Sequence, residues 1–141
     1  MICYLDTSAI VKLYIIEEGS ESVRAEIDRA DVVGTSLIAY PETLSAFSRN
    51  FREKLYDRRY YNRMRLAFEK DWQRIHVAEF NRVISHTAGD LIDKHGLRGF
   101  DSVHLATALQ FKLWFSVPVT FLCFDEKLSK AAQSEKLLIP A

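Results

Sequence analysis

Cysteine is scarce, with Cys3 and Cys123 the only two in 141 residues. That excludes a disulfide framework, so both thiols read as small buried hydrophobes in a chain suited to a reducing compartment. Net charge is missing as well, because 19 Lys and Arg balance 19 Asp and Glu. Whole-molecule attraction to nucleic acid or to an anionic membrane is thereby excluded, and any such binding must come from a local patch. Long hydrophobic runs are also absent. Asp6 and Lys12 interrupt the apolar N-terminal stretch, while Lys112 and Pro118 break the stretch from Phe111 to Phe124. Neither a signal peptide nor a membrane span is read, and the expected location is cytoplasmic. No internal repeat or low-complexity segment is visible.

What is present suits a globular protein. Hydrophobic residues make up 48% and charged residues 27% of the chain, an ordinary balance for a buried core beneath a solvated surface. The length fits one domain, residues 1–141, that buries roughly 70% of the surface its unfolded chain exposes.

Residues Ile2 to Leu5 form a short apolar run without alternation, as in a strand covered on both faces. Ala9, Ile10, Leu13 and Tyr14 then recur at helical spacing, and a second helix covers Glu21 to Arg29. Val32 to Thr35 is the next predicted strand. Leu37 to Leu55 and Asp57 to Arg74 read as a helical hairpin, with Leu44, Phe47, Phe51 and Leu55 along one stripe. Ile75 to Val77 is a third short strand. A helix from Phe80 to His95 is stopped by Gly96, and another runs from Asp101 to about Phe115. Thr120 to Phe124 is a further apolar strand, Asp125 opens a helix through Gln133, and Leu137 to Ile139 is an expected edge strand. Strands alternating with helices imply an α/β fold with a mainly parallel sheet and helices on both faces.

In a parallel sheet the strand C-terminal ends share one edge, and ligands of open α/β sheets bind beyond it. Asp6 ends the first predicted strand and Asp125 the fourth; Glu42 and Asp101 lie near the starts of helices at the same edge. Each acid alone could simply cap a helix or complement its dipole. Jointly they form a constellation, and none has an Arg or Lys immediately beside it in sequence to neutralise it. Two carboxylates about 4 Å apart repel by roughly 4 kcal/mol at an effective dielectric near 20. Such a cluster takes up protons or binds a cation. Hard oxygen ligands without His or Cys suit Mg²⁺ or Mn²⁺, whose usual work is on phosphate oxygens.

The region from Arg49 to Arg74 holds nine basic residues against four acidic ones. Arg49, Arg52, Arg58, Arg59 and Arg63 are candidate RNA contacts there, interleaved with Tyr56, Tyr60, Tyr61 and Trp72. The alternatives are a solvated helical face with aromatic anchors beneath it, or a partner surface. His104 follows Asp101 by three residues, but in a helix rich in core residues it reads as hydrogen-bonded structure. His76, His86 and His95 show no metal-ligand spacing.

Four segments carry a resemblance. They are Leu5-Asp6-Thr7-Ser8-Ala9-Ile10-Val11-Lys12-Leu13-Tyr14, Ala39-Tyr40-Pro41-Glu42, the run from Leu97 through Asp101 and His104 to Ala108, and Phe124-Asp125-Glu126-Lys127-Leu128. On these residues the chain resembles, over nearly its full length, the PIN-domain ribonucleases, and most of all the VapC-type toxins of toxin–antitoxin pairs. The resemblance implies a three-layer α/β/α fold with a helical hairpin insertion, and Asp6, Glu42, Asp101 and Asp125 as ligands of one or two Mg²⁺ or Mn²⁺ ions. Ser8 matches the hydroxyl that supports the first aspartate. Two departures stand out: Cys123 replaces a usual Ser or Thr, so a supporting hydrogen bond is expected to be missing, and Phe100 replaces a usually smaller residue in the pocket wall.

The implied activity is metal-dependent cleavage of RNA, tRNA among the possible substrates, leaving a 5′-phosphate and a 3′-hydroxyl. A cognate antitoxin and a homodimer are the implied partners. Two rival readings remain at this level. One is an RNA-binding or protein-interaction domain without catalysis. The other is an aspartate-based phosphotransfer module, disfavoured because Asp6-Thr7-Ser8 lacks a second acid two residues on.

Overall fold

The computed structural model describes residues 1–140. Four strands form one sheet: β1 (Ile2–Leu5), β2 (Val32–Ser36), β3 (His76–Ala78) and β4 (Val119–Leu122), in the order β3-β2-β1-β4. Every pairing is parallel, with Tyr4 set beside Gly34 on one side and Phe121 on the other. All four strands therefore end at the same edge.

β1 is buried throughout, and its alternating side chains feed two separate cores. Ile2 and Tyr4 point into a cluster with Ile84, Leu91, Leu105, Phe111 and Leu128. These come from α5 (Arg82–His95), α6 (Gly99–Phe115) and α7 (Glu126–Ser134). Cys3 and Leu5 point the other way, toward Ile10, Val23, Phe47, Met64 and Phe68. Those belong to α1 (Thr7–Val11), α2 (Ser20–Arg29), α3 (Ala39–Arg52) and α4 (Arg58–Trp72). The result is the expected three-layer α/β/α sandwich. α3 and α4 form the helical hairpin, joined by the edge-to-face contact of Phe47 and Phe68 at 5.8 Å between ring centres.

One close approach explains a glycine. A Cβ on Gly34 would lie 2.8 Å from Cζ of Phe111, so the bare backbone of β2 is what lets that ring seat on the sheet.

Several boundaries differ from the sequence reading. β4 ends at Leu122, not Phe124, so Asp125 stands beyond the strand as the N-cap of α7, accepting from the Leu128 N–H at 2.9 Å. The α6 helix starts at Gly99, which puts Asp101 inside its first turn. Leu137 to Ile139 is not a strand; Leu138 makes a single parallel bridge to Thr120. Pro140 follows Ile139, and a residue without an N–H cannot extend the ladder. Among the described residues no helix is long and apolar enough to cross a membrane.

Candidate active site

Beyond the C-terminal edge of β1, Asp6 is the N-cap of α1 and accepts from the Ala9 N–H at 3.0 Å. The capping alternative is therefore realised, yet the cap uses only part of the carboxylate's capacity. Ser8 Oγ donates to Asp6 Oδ1 at 2.7 Å, and Ser8 in turn accepts from the Phe124 N–H at 3.2 Å. Asp6 is only 5% exposed. Burial pushes its carboxyl above the usual range; His104 and the Ser8 and Ala9 hydrogen bonds oppose the rise, and the charge of Asp101 adds to it.

Glu42 sits in the first turn of α3. Thr7 Oγ1 donates to its Oε1 at 2.5 Å, and His104 Nε2 lies 2.9 Å from the same oxygen. Burial pulls this carboxyl upward, but the His104 and Thr7 hydrogen bonds outweigh it, so Glu42 is held below its ordinary value. His104 is 2% exposed, and its Nδ1 meets the Tyr4 hydroxyl at 2.8 Å. Both ring nitrogens are thus engaged, Nδ1 by Tyr4 and Nε2 by Glu42. The structural reading of His104 holds, and its structural task is to aim Glu42.

Asp101 and Asp125 are joined by a cation that the sequence reading did not assign. Arg98 Nε and Nη2 each lie 3.1 Å from Asp101 Oδ2, and Nη2 lies 3.6 Å from Asp125 Oδ2. The expectation that no basic neighbour neutralises these acids is thus corrected. The guanidinium is three residues from Asp101, one turn away on the same face, and that spacing was the signal available in the sequence.

Cys123 lies among the same charges. Burial pushes its thiol up to about 12, with Asp6, Asp125 and Asp101 adding to the rise. Its Sγ donates weakly to the Asp125 carbonyl at 3.6 Å, so the position keeps a hydrogen bond. Arg98 thus joins Asp101 to Asp125, while Thr7, the residue after Asp6, joins the end of β1 to Glu42. Among the described residues no three His, Cys, Asp or Glu side chains are drawn together tightly enough to form a ready-made metal cage.

A cleft of about 840 Å³ opens beside these groups, lined by Thr7, Ser8, Glu42, Arg49, Phe100 and Phe124 among others. Arg49 thus faces the site. Arg52 donates to Ser48 Oγ at 2.6 Å, Arg58 stacks on Phe51 at 4.8 Å, and Arg63 lies over Tyr60 at 5.9 Å. Arg59 is exposed on α4. Tyr56, Tyr60, Tyr61 and Trp72 pack against the second core cluster, serving as anchors beneath the basic face.

The family profile of the PIN domain matches residues 3–133. The chain belongs to the PIN-domain family. Within that family it is 35% identical over 106 residues to Ribonuclease VapC45 of Mycobacterium tuberculosis, an overlap covering 75% of this chain and 74% of that one. The fold agrees with that of solved structures. FitAcB from Neisseria gonorrhoeae superposes with a TM-score of 0.67 at 21% identity, over 100% of this chain and 97% of that chain. VapBC2 from Rickettsia felis, solved bound to a DNA fragment from its promoter, gives 0.66 at 12% identity, over 99% and 97%. In this PIN domain, the sequence reading passed over Thr7, Tyr4 and Arg98, which contact Glu42, His104 and Asp101 respectively.

Proposed function

We propose that this PIN-domain protein is an endoribonuclease of the VapC toxin type, cutting RNA phosphodiester bonds with a divalent ion held by Asp6, Glu42, Asp101 and Asp125. The observation that carries the reading is geometric: Arg98 reaches both Asp101 and Asp125, and Thr7, next to Asp6, donates to Glu42, so all four acids stand at one edge of the sheet. The one guanidinium that reaches two of these acids is itself largely exposed, so a cation arriving from solvent can take its place.

The donor set fits a hard cation. All four candidates offer carboxylate oxygens, both His104 nitrogens are engaged by Tyr4 and Glu42, and the Cys123 thiol is not ionised near neutral pH. That chemistry favours Mg²⁺ or Mn²⁺ over zinc. When bound, such an ion supplies a water nucleophile of lowered pKa and charge stabilisation for the leaving oxygen. The chain's own residues do the positioning. Ser8 orients Asp6, Thr7 and His104 keep Glu42 ionised and aimed, and Arg98 balances Asp101 and Asp125 until a stronger cation competes.

Arg49, Arg52, Arg58, Arg59 and Arg63 are assigned to RNA contact on the basic hairpin, with Arg49 nearest the acids. The substrate is single-stranded RNA or tRNA, encountered in the cytoplasm. The partners in this reading are a cognate antitoxin and a second copy of the chain.

Incubating purified protein with single-stranded RNA and tRNA in Mg²⁺ or Mn²⁺ should give cleavage that EDTA abolishes. Asp6→Ala and Asp101→Ala should each lose it. Equal cutting in EDTA or in either variant would end this assignment.

A further inference from the structure

Two phenylalanines stand largely in water on the wall of the cleft that Glu42 lines. Phe100, next to Asp101 in the first turn of α6, is 62% exposed, and Phe124, next to Asp125, is 45% exposed. Both line the cleft that contains Thr7, Ser8, Glu42 and Arg49. Each ring leaves apolar surface in water that a ligand stacked on it would cover.

Phe124 is also held there. The Lys12 ammonium lies over its ring, 4.6 Å from the centre. Lys12 is itself fixed by Glu17 Oε1 at 2.9 Å and by the Glu18 carbonyl at 2.7 Å. On another side the ring lies against Gly19, where a Cβ would come within 2.7 Å of Phe124 Cε1 and where φ is +95°. The glycine thus serves both the left-handed backbone and the approach of the ring. The Phe124 N–H bonded to Ser8 Oγ ties the backbone of this platform to the hydroxyl that orients Asp6.

Exposed aromatics, one of them held in place, a nearby cation and room for a small ligand are the components of a base-stacking subsite. We propose that Phe100 and Phe124 stack an unpaired base of single-stranded RNA at the cleft mouth, with a flanking phosphate at Arg49. The proposal deepens the ribonuclease reading and rests on it for the class of substrate. It assigns to this chain two positioning residues that select for unpaired nucleotides, because a base inside a duplex presents no free face to a side chain.

The test uses the full chain in EDTA, so that RNA stays intact, and a single-stranded oligoribonucleotide carrying 2-aminopurine. Anisotropy reads affinity, and quenching of the 2-aminopurine reads stacking. Phe100→Ala and Phe124→Ala should each weaken binding about tenfold and relieve quenching, whereas Phe124→Trp should restore both. An oligonucleotide with an abasic site in place of the 2-aminopurine should bind wild type and both alanine variants alike. Unchanged affinity and quenching in both alanine variants would overturn the proposal, as would an equal loss on the abasic strand. Loss of binding to a protein partner with RNA affinity intact would overturn it too, by giving the rings to the antitoxin. A wild type that quenches 2-aminopurine yet never cuts RNA in Mg²⁺ or Mn²⁺ would uphold the stacking pair while removing the nuclease reading.

Discussion

Arg98 grips Asp101 through Nε and Nη2, both 3.1 Å from the same carboxylate oxygen. The arginine side chain is 80% exposed while the aspartate's is mostly buried, so the cation can leave without unfolding anything. Exposed pairs of this kind contribute up to about 1 kcal/mol. A divalent ion entering the pocket has to displace this contact. Arg98→Ala should therefore tighten Mn²⁺ binding by up to about fivefold in titration calorimetry. Equal or weaker binding would show that the guanidinium does not compete for the site.

His104 couples β1 to α3 through Tyr4 and Glu42. His104→Leu keeps bulk but strands the buried Tyr4 hydroxyl and leaves Glu42 with only its Thr7 hydrogen bond, a loss of about 1–3 kcal/mol for the unsatisfied hydroxyl. Urea unfolding should show that loss, and RNA cleavage should fall with it. Because the two residues share one hydrogen bond, Tyr4→Phe combined with His104→Leu should cost less than the sum of the single changes. Strict additivity would mean the Tyr4–His104 contact contributes nothing.

Thr43 Oγ1 is buried in α3 and has no hydrogen-bond partner among the described residues. Replacing it with valine removes an unsatisfied polar atom at nearly constant shape. Thr43→Val should raise stability by about 1 kcal/mol in the same urea assay. A destabilised variant would indicate that the hydroxyl does find a partner in solution.

Glu135 accepts from Lys94 Nζ and from His95 Nε2, each at 2.7 Å. Those two hydrogen bonds hold its carboxyl below the ordinary range, against a smaller opposing effect of burial. A depressed folded value means the contribution is complete above the unfolded value of about 4.3 and drains away as pH falls through the folded one. The melting-temperature gap between wild type and Glu135→Gln should thus be widest above about pH 5 and close as the solution is acidified. A gap that widens in acid would reverse the sign of this linkage.

The sheet was legible because its signals are local. The unbroken apolar run of β1 and the alternation of strands with helices announce a parallel sheet buried on both faces, and they place the acids at strand-to-helix junctions. Asp6 and Glu42 were legible for that reason. The end of β4 was not, because Cys123 and Phe124 extend the apolar run beyond the last paired residue, and only the partner strand decides where pairing stops.

The chain by itself determined the layers, the order of the acidic residues and the basic character of the hairpin, since each follows from periodicity and charge along a continuous segment. Tertiary structure alone decided that His104 would serve Glu42, 62 residues away, and Tyr4, 100 residues away. It also decided that Arg98 would reach Asp125 as well as Asp101, and that Phe124 would be pinned by Lys12 and Gly19. Hydrogen bonds and ion pairs act over a few ångströms of space, and separation along the chain does not report that distance until the backbone has closed it.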